Sequence, residues 1–391
     1  MTGLIMQAGD IHIEPGEKDF KIRYRIDGIL HDIIQLPMSE FLTVLNEIKI
    51  LIGAKLQKRE GVVDGRFRII IPEGTDGFVD YKIDVRVSII LGGYGDIIVM
   101  RLLNQTAQAT ELGKLGLREF NLLKLKNNIT KPNGMVLNTG PTGSGKTTTL
   151  YSALRKISTP ELKVITVEDP IEYQMDGILQ TQVNEEENYT FNTALRNLLR
   201  QNPDIIMIGE IRDEETAAIA YQAALTGHLV LSTLHTNNAA GSVRRLANMG
   251  LSLSDLSSGT NCFMAQRLAR ELCPSCKRKV TLESADIDKI NTVLRGISSA
   301  SKIKIPQEYT TYQAVGCDKC HGLGYSGRIP IAEIMDIDEE MEKYITTDPT
   351  TSEIHNKAVE KGMLSMGQDG VLRVIEGQTT IEEIARISDE I

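Results

Sequence analysis

The feature that most constrains the fold of this chain is the segment GMVLNTGPTGSGKTTTLYSAL at residues 134–154. An apolar run from Met135 to Asn138 predicts a strand, and Leu150 and Leu154, four positions apart, predict one face of a helix. The glycine-rich stretch between them allows successive backbone N–H groups to point into one concavity beside the positive end of the helix dipole. A strand, a glycine-rich loop and a helix in this order predict a phosphate-binding loop in an α/β fold.

The side chains of this loop fit a nucleoside triphosphate bound with Mg²⁺. Lys146 would reach the β- and γ-phosphates, and the Thr147 hydroxyl would ligate Mg²⁺. A glycine-rich turn that matches by chance is the alternative, and the correct strand and helix on either side argue against it. The predicted nucleotide-binding residues of the loop are Gly140, Pro141, Thr142, Gly143, Ser144, Gly145, Lys146, Thr147 and Thr148.

Two further apolar runs end in acidic residues. The run Ile205 to Ile208 is followed by Glu210, and the run Lys163 to Val167 leads into the acidic stretch of ITVEDPIEY at 165–173. Because parallel strands bind ligands at their carboxyl ends, these acids are expected at the edge that carries the phosphate loop. Glu210 is the candidate for the Mg²⁺–water carboxylate and Glu172 for the general base. The sequence alone barely separates the two for the base role.

The remaining candidates of this edge have ordinary alternatives. Glu168 and Asp169 either tie their loop down or contact Mg²⁺ through water, and a solvated turn around Pro170 would also explain them. His228 and His235 flank the strand pattern GHLVLSTLHT, so one of them is a candidate for hydrogen bonding to the γ-phosphate. A structural role for both histidines is equally compatible with the spacing.

Length and charge limit the function classes. A chain of 391 residues predicts two or three domains. Its formal net charge of −9 argues against nucleic acid as a partner, because that binding relies on a basic face. No apolar run approaches the ~18 residues of a membrane span, and MTGLIMQAGD is not a signal peptide. We therefore expect a cytoplasmic protein with only peripheral membrane association.

Residues 1–103 alternate apolar and polar positions in short runs, which predicts an α+β domain with a mostly antiparallel sheet. A linker is expected at 104–113, followed by the phosphate-loop domain at 114–391. Several arginines lie on or beside the first domain's strands, where solvent-facing positions are the ordinary explanation. The alternative is an arginine finger, which neutralises charge that develops on the γ-phosphate. These arginines are Arg23, Arg25, Arg66, Arg86 and Arg101.

Four of the five cysteines form two CxxC pairs. Each pair offers two thiolates to one tetrahedral Zn²⁺, and four thiolates leave no open position, so the site is expected to be structural. Two redox-active pairs are the alternative, but neither pair has the strand–helix setting of a thioredoxin-like motif. The remaining cysteine, Cys262, is expected to be a small buried hydrophobe. The predicted zinc ligands are Cys273, Cys276, Cys317 and Cys320.

The C-terminal third is expected to contain two smaller elements. The zinc element would span 270–325, with ESADIDKINTVLRG as a helix inside the long gap between the cysteine pairs. Residues 336–391 show helical spacing and predict a packing subdomain, with Thr380 as the cap of the last helix.

The motifs GPTGSGKTTTLY, ITVEDPIEY, NPDIIMIGEIRD and TGHLVLSTLHTN, in this order, resemble the secretion ATPases of type II secretion and type IV pilus systems. The resemblance continues from GDIHIEPGEKDF to GQDGVLRVIEGQTT and so covers essentially the whole chain. It implies a homohexamer with a RecA-like motor domain, preceded by a PAS-like domain, which hydrolyses ATP with Mg²⁺. Members usually carry another domain before GDIHIEP, so we expect that such a domain was removed or that this member is short.

Residue by residue, the resemblance makes 140–147 the Walker A loop, 168–172 the aspartate box, Glu210 the Walker B glutamate and Glu172 the general base. It places His228 and His235 in a histidine box. It also favours Arg25, Arg86 and Arg101 as the arginines that close on the nucleotide, without separating them.

The tetracysteine element marks pilus-assembly and secretion members of this family. The resemblance therefore implies an assembly motor acting on an inner-membrane platform protein of a type IV pilus or type II secretion pseudopilus. A retraction motor is the nearest alternative. A nucleic-acid translocase and a non-hydrolysing nucleotide switch are alternatives of other classes, against which the acidic charge and the intact acidic residues argue.

Overall fold

The computed structural model describes residues 2–56, 61–71, 81–104, 110–306 and 308–391. The chain divides into two compact units, Met1–Gln108 with Glu172–Gln174, and Ala109–Ile171 with Met175–Ile391. Residues 105–109 of the expected linker lie outside the described residues.

The first unit is built on one antiparallel sheet with the strand order β3–β2–β1–β6–β5–β4. Along β5 every second residue is buried, so that Val85 and Val87 face the core while Arg86 between them is exposed. Phe41 and Leu45 of helix α2 are buried in the same core cluster. The elements are α1 (Thr2–Ile5), β1 (Ala8–Pro15), β2 (Asp19–Ile26), β3 (Ile29–Pro37), α2 (Met38–Leu51), β4 (Val62–Ile71), β5 (Tyr81–Leu91) and β6 (Asp96–Asn104).

The second unit contains a seven-stranded sheet with the order β15–β12–β7–β11–β10–β8–β9. Its strands are parallel except for β15, which pairs antiparallel with β12. A separate two-stranded sheet joins β13 and β14. The strands are β7 (Gly134–Thr139), β8 (Val164–Glu168), β9 (Leu179–Gln182), β10 (Ile205–Ile208), β11 (Leu229–Leu234), β12 (Thr260–Leu272), β13 (Arg278–Val280), β14 (Thr311–Gln313) and β15 (Tyr325–Asp336).

Helices of the second unit alternate with these strands and then follow them at the C-terminal end. Among the described residues, no helix is both long and apolar enough to cross a membrane. The helices are α3 (Glu119–Ile129), α4 (Lys146–Ile157), α5 (Phe191–Leu198), α6 (Glu214–Leu225), α7 (Ala239–Asn248), α8 (Leu253–Gly259), α9 (Ser284–Arg295), α10 (Glu339–Ile345), α11 (Thr351–Glu360), α12 (Met366–Ile375) and α13 (Ile381–Ile387).

Every residue of β7, β8, β10 and β11 is buried. Continuous apolar runs of this kind are typical of parallel strands covered on both faces by helices. The predicted α/β class is confirmed, and the carboxyl ends of these strands meet at one edge of the sheet. The connections that follow β7, β8, β10 and β11 therefore carry the candidate functional residues.

Candidate functional site

The phosphate loop occupies residues 140–145, between the end of β7 and the start of α4. Gly145 precedes the helix with a left-handed φ of 86°, a conformation that favours glycine. A Cβ on Gly145 would lie 2.7 Å from the side-chain nitrogen of Gln266, and a Cβ on Gly140 would lie 2.5 Å from the Gln266 carbonyl oxygen. Gly140 is thus required by the close approach of the β12 backbone, and Gly145 is favoured by its left-handed φ.

The Lys146 side chain is engaged by the loop itself. Its Nζ donates to the carbonyl oxygens of Gly140 at 2.6 Å and Pro141 at 3.0 Å. Burial lowers the pKa of Lys146 to about 8, an effect that the Glu210 carboxylate opposes and the Arg267 guanidinium reinforces. The ammonium group has three N–H donors, so these two bonds leave one for a phosphate.

The acidic edge is organised around Arg212, which sequence analysis did not single out. Arg212 Nε donates to Glu210 Oε2 at 3.0 Å, and its Nη1 donates to Asp169 Oδ2 at 3.3 Å. His235 Nε2 lies 3.0 Å from the other oxygen, Glu210 Oε1. The structure therefore brings Glu210, Asp169 and His235 together at the carboxyl ends of β8, β10 and β11.

Glu168 is buried beneath this edge, with 2% of its surface exposed. Its Oε1 accepts from the Thr166 hydroxyl at 2.5 Å and from Gln180 Nε2 at 3.2 Å, and the Tyr151 hydroxyl donates to Oε2. These bonds tie β8 to α4 and β9. They are compatible with the predicted role of Glu168 in holding its segment in place, and a contact with Mg²⁺ through water stays a prediction.

The two histidines lie at opposite ends of β11. Leu229 pairs with Gly134 and Leu234 with Thr139 in the parallel register of β11 and β7. His228 therefore lies at the amino end, where its Nδ1 is 3.0 Å from the Ala223 carbonyl oxygen. Only His235 is at the edge of the phosphate loop, so the predicted contact of His228 with a phosphate of its own chain is not supported.

Glu172 lies in the segment Glu172–Gln174, which groups with the first unit. Its side chain is partly exposed, and it follows a cis peptide bond between Asp169 and Pro170. Its role as general base stays a prediction.

Of the five arginines singled out in the first unit, Arg23 is ion-paired with Glu14 and Asp32, and the other four form a row across the sheet. Asp10 is paired in register with Arg25 on β2 and with Arg101 on β6. Its carboxylate accepts from Arg101 Nε at 3.0 Å and lies 3.2 Å from Arg25 Nε. Arg86 is paired with Arg101, and Arg66 on the edge strand is paired with Arg86. Four arginines thus share one row with a single carboxylate, and which of them serves as a finger stays a prediction.

The four cysteines of the CxxC pairs converge because of the antiparallel pairing of β12 and β15. The first pair follows the end of β12, the second precedes the start of β15, and Leu272 is paired with Tyr325. All four sulfur atoms lie within 4.8 Å of one another. The resolved Sγ–Sγ distances are 3.9 Å for Cys273 and Cys317, 3.8 Å for Cys276 and Cys320, and 3.8 Å for Cys317 and Cys320.

These distances fit a tetrahedral metal. Four sulfur atoms at ~2.3 Å from Zn²⁺ at the corners of a tetrahedron would be about 3.8 Å apart. They are too far apart for disulfide bonds, and all four cysteines are free. The cluster therefore has the geometry of a closed structural zinc site.

Comparison with known proteins identifies the family. The model of the family described as Type II/IV secretion system protein matches residues 3–386. The chain is 41% identical over 384 residues to the type IV pilus assembly ATPase PilB of Myxococcus xanthus, and it covers 65% of that protein. It is likewise 41% identical over 384 residues to the type II secretion system protein E of Pseudomonas aeruginosa, and it covers 72% of that protein. Each match takes in 98% of the chain.

The chain belongs to the Type II/IV secretion system protein family. The solved structure of the Yersinia pseudotuberculosis ATPase DotB shares its fold, with a TM-score of 0.71 and 24% identity. That alignment covers 99% of this chain and 91% of the other. The predicted resemblance to secretion ATPases is thereby confirmed at the level of the family.

Two residues that shape this family member's phosphate loop were also not singled out from the sequence. Gln266 and Arg267 lie on β12, just beyond Ala265, which pairs with Thr139 at the end of β7. The signal that points to them is a polar pair inside the run CFMAQRLAREL, where most other positions are buried. A buried polar side chain requires a partner. Gln266 finds its partners in Ser144 of the phosphate loop, Asn138 of β7 and Thr149 of α4. Arg267 donates to the Asn237 carbonyl oxygen after β11.

Proposed function

We propose that this chain is the motor part of an ATP-hydrolysing homohexamer that powers assembly of type IV pili or a type II secretion pseudopilus. The observation that carries the proposal is the convergence of Lys146, Glu210 and His235 at the carboxyl edge of one parallel sheet. Lys146 supplies a cation for phosphates, and the Glu210 carboxylate is held by Arg212 and His235. The relatives' names and the tetracysteine cluster support assembly rather than retraction.

In this proposal the loop residues 140–148 bind the phosphates through backbone N–H groups and Lys146. Thr147 and Glu210 would hold Mg²⁺, since both offer the oxygen ligands that this ion prefers. Mg²⁺, when bound, would neutralise charge on the phosphates. Glu172 is the proposed base that receives a proton from the attacking water.

Glu210 is ion-paired in this structure, and the proposal includes a change of that pairing when nucleotide binds. Arg212 and His235 occupy both of its oxygens. Movement of Arg212 away from Glu210 would release the carboxylate toward Mg²⁺ and its water. Arg25, Arg86 and Arg101 are the proposed cations that complete charge neutralisation on the γ-phosphate.

The remaining assignments complete the proposal. Residues 1–103 would form the PAS-like domain, 114–391 the RecA-like domain, 270–325 the zinc element and 336–391 the helical subdomain. Zn²⁺ would be held by the four cysteines as a structural ion. The client would be an inner-membrane platform protein, with the motor in the cytoplasm at the inner face of that membrane and no nucleic acid bound.

The test is steady-state ATP hydrolysis by wild type, Glu172→Gln and Glu210→Gln, with ATP affinity measured alongside. Glu172→Gln is expected to retain ATP and lose turnover by about 10²–10⁴-fold, the contribution of an acid–base catalyst. Normal turnover in Glu172→Gln with loss in Glu210→Gln would move the base role to Glu210. ATP binding without hydrolysis by the wild type would contradict the motor.

Two controls separate the alternatives. Hydrolysis stimulated by DNA or RNA would favour a translocase, and unchanged hydrolysis excludes it. Restoration of pili or of secretion in a strain that lacks its assembly ATPase supports an assembly motor. Faster loss of existing pili would instead identify a retraction motor.

A further inference from the structure

Arg267 is a partly buried cation for which the described residues provide no ion pair. Its Nη1 donates to the Gln266 carbonyl oxygen at 3.1 Å and its Nη2 to the Asn237 carbonyl oxygen at 2.9 Å. Other partly buried arginines of the same unit differ in this respect. Arg118 Nε is 2.7 Å from Asp369, and Arg270 Nη2 is 2.5 Å from Glu383. Burial lowers the pKa of Arg267, although the carboxylates of Glu333 and Asp389 act on it without pairing with it. Because buried charges are normally paired, the position of Arg267 requires an explanation.

The position of Arg267 points to an anion at the phosphate loop. A Cβ built on Gly140 would lie 3.2 Å from Arg267 Nη1. The carbonyl oxygen of the same glycine accepts from Lys146 Nζ at 2.6 Å. Two cationic side chains thus approach one residue of the loop. They repel each other, and the charge on Arg267 adds to burial in lowering the pKa of Lys146. A bound anion would relieve this repulsion.

We propose that Arg267 is a second cation of the phosphate site and donates hydrogen bonds to a phosphate oxygen of a nucleotide bound by its own chain. This inference rests on the proposed function of the loop as a nucleoside triphosphate site. A guanidinium has five N–H donors, and the two carbonyl bonds leave three for a ligand. Its planar fork matches the geometry of phosphate oxygens.

The same guanidinium would connect the nucleotide to the loop of His235. Asn237, whose carbonyl accepts from Arg267, lies two residues after His235, which faces Glu210. A purely structural role, in which Arg267 only fastens Asn237 to β12, is the competing explanation. If Arg267 contacts the nucleotide, loss of its charge weakens nucleotide binding more than it destabilises the free protein. If its role is only structural, the free protein is destabilised as well.

The test measures the affinity of the full chain for fluorescent ATP and ADP with Mg²⁺ in wild type, Arg267→Gln and Arg267→Lys. Arg295→Gln is the matched control, because Arg295 is exposed at the end of α9. Arg267→Gln is expected to weaken both affinities by about 10- to 100-fold, the value of a hydrogen bond to a charged group. Arg267→Lys keeps the charge and should lie between it and wild type. Arg295→Gln should match wild type.

Thermal unfolding without nucleotide separates binding from folding. The proposal stands if the free Arg267→Gln protein melts near the wild type and binds weakly. It is overturned if Arg267→Gln binds like the wild type. It is also overturned if Arg267→Gln and Arg267→Lys lose affinity to the same extent and the nucleotide-free forms of both variants are also destabilised to the same extent. A wild-type chain that binds no nucleotide would instead overturn the proposed function.

Discussion

The Gln266 side chain is expected to hold the phosphate loop in shape, and Gln266→Met tests this. The amide nitrogen of Gln266 donates to the Ser144 carbonyl oxygen at 2.8 Å. Its oxygen accepts from Asn138 Nδ2 at 3.2 Å and from the Thr149 hydroxyl at 2.8 Å. One side chain thus joins β7, the loop and α4 from β12. Methionine has nearly the same length and shape, so the substitution removes hydrogen bonds without leaving a large cavity.

The expected cost follows from these three bonds. A buried hydrogen bond contributes about 0.5–1.5 kcal/mol net, and a polar group left unpaired in the interior costs about 1–3 kcal/mol. The Thr149 hydroxyl can turn to the carbonyl oxygen of Gly145, the residue that precedes α4, and recover part of its loss. Ser144 and Asn138 have no such substitute among the described contacts. We therefore expect Gln266→Met to lower the free energy of unfolding of the second unit by about 2–4 kcal/mol.

The assay must report on the second unit alone, because the chain contains two compact units and need not unfold in one transition. Amide hydrogen exchange in increasing urea, followed in peptides from residues 134–154, meets this requirement. Gln222→Met on α6 is the matched control, since Gln222 is exposed, and it should stay within about 0.5 kcal/mol of wild type. If Gln266→Met lowers the free energy of unfolding by less than about 1 kcal/mol, Gln266 does not hold the loop in shape, because that loss is smaller than three lost hydrogen bonds would cause.

Three other predictions concern the metal, an ion pair and pH. Metal analysis of the purified protein should find one zinc per chain. A chelator should remove this zinc and lower the melting temperature. The control variant Cys262→Ala should keep the same zinc content as the wild type. Burial would raise the pKa of Glu383, but hydrogen bonds from Arg270 and Arg386 lower it to about 2. The ionised Glu383 therefore stabilises the fold fully above about pH 4.5, and this contribution is lost as the pH falls toward 2. Glu383→Gln should cost about 3 kcal/mol at pH 7 and much less near pH 2, in urea unfolding. Because the pKa of Lys146 is about 8 rather than 10.5, nucleotide affinity should fall as the pH rises above about 8, and affinity constant to pH 10 would contradict the loss of its proton.

Apolar runs bounded by glycine, proline or acids were sufficient to predict the central strands. The predicted strand Ile205 to Ile208 is confirmed at both ends, and Met135 to Asn138 differs from β7 by one residue at each end. The predicted cap of the last helix is also confirmed, with the Thr380 side chain accepting from the Glu383 N–H. These features depend on neighbours in the sequence, so local patterns contain the necessary information.

Helix α12 shows where local patterns are not sufficient. The segment MGQDGVLRVI contains Gly367 and Gly370, residues of low helix propensity, yet all ten residues are helical and buried. A Cβ on Gly370 would lie 2.5 Å from the side chain of Ile384 on α13. The glycine therefore permits close packing of two helices rather than ending one, and only the three-dimensional structure shows that neighbour.

The two histidines could have been separated by applying one rule more fully. His228 precedes the strand pattern and His235 follows it, so in a parallel sheet only His235 can reach the carboxyl edge. The same rule correctly placed Glu210 after β10. The direction of the strand was available in the sequence, whereas the partners of Arg212 and Arg267 required the fold.

A similar dependence on the fold applies to Glu333, a fully buried carboxylate on β15. Its two oxygens accept from the backbone N–H groups of Ala239 at 2.6 Å and Met366 at 3.1 Å. These are the first residues of α7 and α12, where unpaired N–H groups and the helix dipole favour a negative charge. Burial nevertheless raises the pKa of Glu333, and the two backbone bonds oppose that rise.

Glu333 fixes the start of α7 at Ala239. It thereby also fixes the end of the loop that runs from His235 to Asn238. The same segment is held in its middle by the Thr139 hydroxyl, which accepts from the Thr236 N–H at 2.7 Å, and by Arg267 at the Asn237 carbonyl. Three strands, β7, β12 and β15, therefore each contribute one polar side chain to the position of a single loop. In a sheet covered on both faces, such side chains interrupt the apolar pattern that reveals the strands. The interruptions are the positions at which the candidate site is joined to the core.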